Sequence, residues 1–264
     1  MIRRQGSSGN SNIECMKLDL ASSDSIRQFA SDLTKRHEDC NEQLDIYALV
    51  CNAGVWMPME KKETTEEGFE IHFGVNHLGH FRLIQSILPI MSTPKTLDDG
   101  KRIVLVSSSL LKFGKIDMQK RDFIRAGRSL AIDEKKSFAP TGYCDSKLMN
   151  ALTCRQLAVE LHSQQKKQKI TSYAVSPGFC FSKLGRNVST PLVVRGIMRL
   201  FQRSSEQGAQ NIVYVTMEDT EKLASGALYQ DGKMDEGIKL FLDGVGEDVQ
   251  KQLWDLSKEF VEEK

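Results

Sequence analysis

Along the chain, short runs of apolar and β-branched residues alternate with longer stretches in which apolar residues return every third or fourth position. Strand-like runs fall at 13–18, 45–51, 102–107, 170–176 and, more briefly, 227–229. Helical periodicity fills the intervals: one helix opens at Ser22 or Ser23, whose hydroxyls can cap it, a second covers about 67–91, and a third runs from Tyr143 to about His162. A fourth opens at Ser204, where Gln207 completes a capping box, and a last one begins near Glu247. In the third helix Leu148, Ala151, Leu152, Cys154, Ala158 and Leu161 form one apolar stripe, expected to face the core. Alternation of strand and helix is the pattern of βαβ units on a parallel sheet, and no repeat or linker interrupts it, so one α/β domain over 1–264 is predicted. The stretches 109–139 and 179–203 are irregular and follow strands directly. In open parallel sheets ligands bind beyond the carboxyl ends of the strands, so these two are expected to wall a substrate pocket.

Charge and composition narrow the partners. A formal net charge of +1 provides no field to gather nucleic acid or an acidic membrane, which leaves small molecules as the expected ligands. The longest apolar runs, such as "IVLV" at 103–106, fall far short of the roughly 20 residues a spanning helix needs. The first residues, "MIRRQGSSGNSN", lack the apolar core of a secretory signal, and the reading is cytoplasmic. The six cysteines (15, 40, 51, 144, 154 and 180) form no CxxC pair and have no histidine at zinc-ligand spacing, so reduced thiols and no metal site are expected. "KKQK" at 166–169 reads as a solvated helix end, and "NVS" at 187–189 as a chance glycosylation tripeptide.

Candidate chemistry gathers at strand ends. Tyr143 and Lys147 are four residues apart, so on a helix they share one face and can touch a common ligand. A neighbouring ammonium favours the phenolate, so Lys147 is expected to lower the pKa of Tyr143. "VLVSSS" ends a buried-type strand in three hydroxyls, "ALVCNAG" ends another at Gly54, where a ligand can approach the backbone closely, and "AVSPGF" ends a third in Pro-Gly. "FGVNHLGHF" sets the polar Asn76 inside an apolar helix.

The set "CNAG", "VNHLGHF", "VSSS", "YCDSK" and "SPGFCFS", in this order, resembles the short-chain dehydrogenase/reductase family from its third strand to its C-terminus. The resemblance implies a Rossmann-type doubly wound parallel sheet and a nicotinamide-dependent oxidoreductase using NADP or NAD. It implies Tyr143 as general acid/base, Lys147 on the nicotinamide ribose, Ser108 orienting the substrate oxygen and Asn76 holding a relay water. Cofactor contacts implied in the same way are Asp19 near the adenine, Asn52, Ala53 and Gly54 beside the ribose, and Pro177, Gly178 and Ser182 along the nicotinamide, with Tyr143 and Lys147 completing the set. "GFEIHFGVNHLGHF" and the long interval between Ser108 and Tyr143 resemble the retinol-dehydrogenase-like branch, which implies a lipophilic alcohol and its aldehyde or ketone.

The chain departs from the family at its start. No strand, Gly-x-x-x-Gly-x-Gly turn and helix open it, and "GSSGNSN" at 6–12 follows no strand and opens no helix. The expectation is therefore an N-terminally truncated Rossmann-type fold, missing the first strand, the glycine-rich turn and the second strand. Segment 13–18 then lacks an obvious partner and the edge of 45–51 is bared. The residue that selects NAD or NADP goes with the missing part, and so would any membrane attachment of the kind some retinol-active relatives have. The alternative reading is a non-catalytic binding or regulatory module on the same fold. A third, an epimerase or dehydratase, fits poorly with the short remainder after Lys147. Family members often pair through two long helices, which leaves a homodimer open.

Overall fold

The computed structural model describes residues 13–39, 46–58, 63–91, 100–120, 140–164, 170–180, 184 and 202–263. Five strands, β1 (Ala48–Cys51), β2 (Lys101–Val106), β3 (Ile170–Val175), β4 (Leu228–Gln230) and β5 (Lys233–Met234), form one sheet in chain order. The first four are parallel, with Leu49 beside Ile103, Val104 beside Tyr173 and Val175 beside Tyr229, and β5 closes the edge as an antiparallel hairpin with β4.

Every residue of β2 and β3 is buried, as a parallel sheet covered on both faces requires. The two-residue period of a strand sorts them: Ile103, Leu105 and Ala174 join the larger core, and Val104, Val106, Tyr173 and Val175 join a smaller core on the opposite face. The larger core is filled from α1 (Ser23–Asp39), α2 (His80–Met91), α3 (Thr141–Gln164), α5 (Glu236–Val245) and α6 (Glu247–Glu262). The smaller one is covered by α4 (Ser205–Met217) through Ile212 and Val215.

Helix α1 is an amphipathic element in which Ile26, Phe29, Ala30 and Leu33 face the core, and Ser22 Oγ accepts the Ser25 N–H at 3.4 Å. The capping box of α4 forms as expected, Ser204 and Gln207 each accepting from the other's backbone. Among the described residues no helix is long and apolar enough to cross a membrane.

Two expectations are corrected and one helix is added. Segment 13–18 is not a strand: among the described residues no neighbouring strand supplies backbone partners, and Ile13 is exposed. The helix expected from 67 starts at His72, because Gly68 adopts φ 83° and its N–H closes a turn onto the Thr65 carbonyl at 2.9 Å. Its first section, His72–Gly79, is π-helical and wholly buried before α2 continues as an α-helix. Helix α5 was not expected; Asp235 caps it by accepting the Ile238 N–H at 2.8 Å.

Candidate functional site

The end of β2 delivers three serines to three different tasks. Ser107 continues the sheet through its N–H to the Val175 carbonyl at 2.8 Å, and its hydroxyl donates to the Lys147 carbonyl at 2.7 Å, tying the strand to α3. Ser109 turns to the other side, donating to Gln230 Oε1 at 2.7 Å and meeting Ser176 Oγ at 3.2 Å. Ser108 stands between them in extended conformation, caps the following 3₁₀ turn by accepting the Leu110 N–H at 3.3 Å, and its hydroxyl acts to lower the Tyr143 pKa.

Tyr143 and Lys147 lie on the first turns of α3, four residues apart and both buried. Lys147 Nζ is 5.5 Å from the Tyr143 ring centroid and donates to the Val106 carbonyl at 3.0 Å. The expected electrostatics are reversed. Burial raises the Tyr143 pKa above its ordinary value, with the Ser108 hydroxyl opposing, and burial lowers Lys147 from 10.5 to about 8. Both effects favour the neutral form, because a phenolate or an ammonium loses its hydration here.

Beyond β1 the chain turns through Asn52, whose N–H donates to the Val50 carbonyl at 3.0 Å, and Ala53 to Gly54. A Cβ on Gly54 would stand 3.1 Å from Asn76 Oδ1, a tight contact, and 3.7 Å from Lys147 Nζ, so the backbone passes close to both. The Asn76 side chain makes three hydrogen bonds: Oδ1 accepts the Val55 N–H at 2.7 Å, and Nδ2 donates to the Val55 carbonyl at 3.0 Å and to Ser146 Oγ at 3.1 Å. That grip needs a short amide inside the π-helical turn, and it pins the loop after β1 to α3.

Pro177 and Gly178 follow β3, with Gly178 at φ 79°, and Ser182 lies outside the described residues. Asp19 is exposed and opens α1: its carboxylate accepts the Ala21 N–H and its own N–H donates to Ser25 Oγ, each at 2.9 Å. Most of the two expected pocket walls, 121–139 and 185–201, also lies outside the described residues.

Sequence reasoning missed Trp56, whose ring lies 4.6 Å from the Tyr143 ring, centroid to centroid and tilted by 31°. Its signal was position, since it follows Gly54 by two residues in the same strand-end loop. Chemically, Tyr143, Ser108 and Lys147 offer a proton donor, a second hydroxyl on the same oxygen site and a cation beside the phenol. The buried Lys147 ammonium spends one donor on Val106, and its other N–H groups can serve the hydroxyls of a ribose, with the Gly54 backbone nearby. The described residues thus fit the nicotinamide half of a dinucleotide.

Comparison with known proteins points to one family. The model of the family described as short chain dehydrogenase matches residues 2–119. Human retinol dehydrogenase 14 is 34% identical over 260 residues, which are 97% of this chain and 69% of the relative. Mouse retinol dehydrogenase 11 is 33% identical over 258 residues, covering 96% of this chain and 71% of the relative. Among solved structures, an NADPH-bound carbonyl reductase from chicken fatty liver superposes with a TM-score of 0.55 at 17% identity, covering 83% of this chain and 75% of that one, a likeness of fold.

Proposed function

Because the chain belongs to the short-chain dehydrogenase/reductase family, in its retinol-dehydrogenase-like branch, we propose that it interconverts a lipophilic, retinoid-type alcohol and its carbonyl partner with a nicotinamide cofactor. The observation that carries this reading is the buried Tyr143 phenol with Lys147 Nζ 5.5 Å from its ring centroid, on a helix tied to the serines that end β2 by the Ser107–Lys147 hydrogen bond. In reduction, Tyr143 donates its phenolic proton to the carbonyl oxygen while Ser108 holds that oxygen by a second hydrogen bond. The resulting phenolate lies beside Lys147, which in its charged form offsets the new negative charge. When bound, a nicotinamide supplies the hydride to the carbonyl carbon, or accepts it in the reverse direction. Burial keeps Tyr143 protonated, the state that reduction needs at neutral pH. Lys147, Asn52, Ala53, Gly54, Pro177 and Gly178 would hold the nicotinamide and its ribose. The likeness to retinol dehydrogenases supports a lipophilic rather than a sugar substrate.

The test is aldehyde-dependent oxidation of NADPH and NADH by the purified chain, with polyene, long aliphatic and short polar aldehydes. Turnover favouring the long apolar aldehydes is expected. Cofactor binding without turnover of any carbonyl would contradict the reading and favour a non-catalytic module.

A further inference from the structure

A second polar cluster lies behind the Tyr143 ring. Glu70 and His72 are both buried, at 9% and 4% exposure, and Glu70 Oε1 is 2.6 Å from His72 Nδ1. The Met57 N–H donates to His72 Nε2 at 3.0 Å. A backbone N–H can only donate, so Nε2 carries the lone pair, Nδ1 carries the hydrogen, and that hydrogen goes to Glu70. The other carboxylate oxygen, Oε2, accepts the Phe73 N–H at 2.8 Å. Both ring nitrogens and both carboxylate oxygens therefore have partners, and the arrangement is directional: Glu70 fixes the tautomer, and the tautomer fixes Met57.

The cluster touches the candidate site from two sides. The His72 ring meets the Tyr143 ring edge-on at 6.3 Å between centroids. A Cβ on Gly142 would lie 2.9 Å from His72 Nδ1 and 3.0 Å from Glu70 Oε1, so the first turn of α3 sits against the pair through a missing side chain. Met57 directly follows Trp56, the residue stacked on Tyr143.

We propose that Glu70 and His72 are positioning residues, a buried hydrogen-bonded dyad that holds residues 55–57 against the start of α3 and seats the Trp56 ring on Tyr143. The loop between β1 and the π-helical turn is then anchored at both ends, by Asn76 at Val55 and by His72 at Met57. Trp56 covers one side of the phenol ring. The catalytic consequence rests on the role given to Tyr143 above; the structural consequence for Trp56 does not.

The test uses Trp56 as its own reporter. The chain has two tryptophans, and among the described residues the buried indole N–H of Trp254 has no hydrogen-bond partner, so Trp254→Phe provides a background in which Trp56 alone emits. In that background Glu70→Gln is isosteric, yet its amide cannot accept from both the Phe73 N–H and His72 through two oxygens. His72→Leu removes the acceptor for Met57. His72→Gln restores one acceptor and one donor. We expect Glu70→Gln and His72→Leu to shift Trp56 emission to the red and raise its quenching by acrylamide about twofold, while His72→Gln stays near the parent, as pre-organisation by a supporting shell requires. Where carbonyl turnover is measurable, the first two variants should lower kcat about tenfold to hundredfold with KM little changed. Equal Trp56 accessibility in all variants, or His72→Gln as damaging as His72→Leu, would overturn the proposal. If Trp56 responds as expected in a chain that turns over no carbonyl, the dyad stands and the oxidoreductase reading falls; turnover with an unmoved Trp56 decides the opposite way.

Discussion

Lys147 is buried with a carbonyl as its hydrogen-bond acceptor, and that makes its charge a cost to the fold. Its pKa falls from 10.5 to about 8, so between those values the unfolded chain holds a proton that the native state has released, and stability rises with pH. Cys51, Cys144 and Cys154 act in the opposite sense, since burial raises each from 9.0 to about 12 and the unfolded thiols ionise first. Comparison with Lys147→Met cancels the cysteine contribution. Below pH 8 the methionine variant should be the more stable by roughly 3 kcal/mol, and the gap should close as pH rises toward 10, read from urea midpoints. A gap independent of pH would mean that Lys147 is not destabilised by burial. Tyr143, Lys147, Ser108 and Gly54 were legible as a group because strand ends and a four-residue spacing can be read directly. The direction of their pKa shifts was not, because burial is a property of the packed molecule. The same limit hid Asn76, whose polar character stood out while its partners, Val55 and Ser146, come from other segments.

At the scale of elements, the contact between the turn after β2 and α3 is a close backbone approach. A Cβ on Gly114 would lie 2.7 Å from the Cys144 carbonyl oxygen and 3.0 Å from Leu148 Cβ. Gly114→Ala should therefore lose about 1–3 kcal/mol by overpacking. It should also weaken the Ser108–Tyr143 contact, since both residues flank that seam. Ser204→Ala, by contrast, should cost about 1 kcal/mol in thermal unfolding through loss of the α4 cap and leave turnover unchanged. Equal loss of activity in both variants would contradict this division. The capping box and the strands at 102–107 and 170–176 were readable because each signal is local and strong. Two signals went unused: Asp231 and Gly232, with φ 56° and 71°, make the two-residue turn of the β4–β5 hairpin, and Asp235 opens α5. The strand expected at 13–18 failed for a different reason, since a strand exists only with a neighbour to pair with.

For the molecule as a whole, period-two sorting of β2 and β3 into two cores explains why α/β architecture was legible from pattern alone, whereas the π-helical turn at His72–Gly79 was not. That architecture brings the ends of β1, β2 and β3 together with the N-terminal turns of α3, and the account requires that this junction bind a nicotinamide. NADPH or NADH at about 100 times its dissociation constant should add about 2.7 kcal/mol to stability, visible as a rise in the thermal midpoint. The most direct test of the central claim is single-turnover reduction of a long-chain aldehyde by the native chain and by Tyr143→Phe. Phenylalanine keeps the ring that packs on Trp56 and removes only the hydroxyl. The account predicts a loss of about 10²–10⁴-fold in the chemical step with the midpoint nearly unchanged; turnover retained within a few-fold would show that proton transfer does not pass through Tyr143.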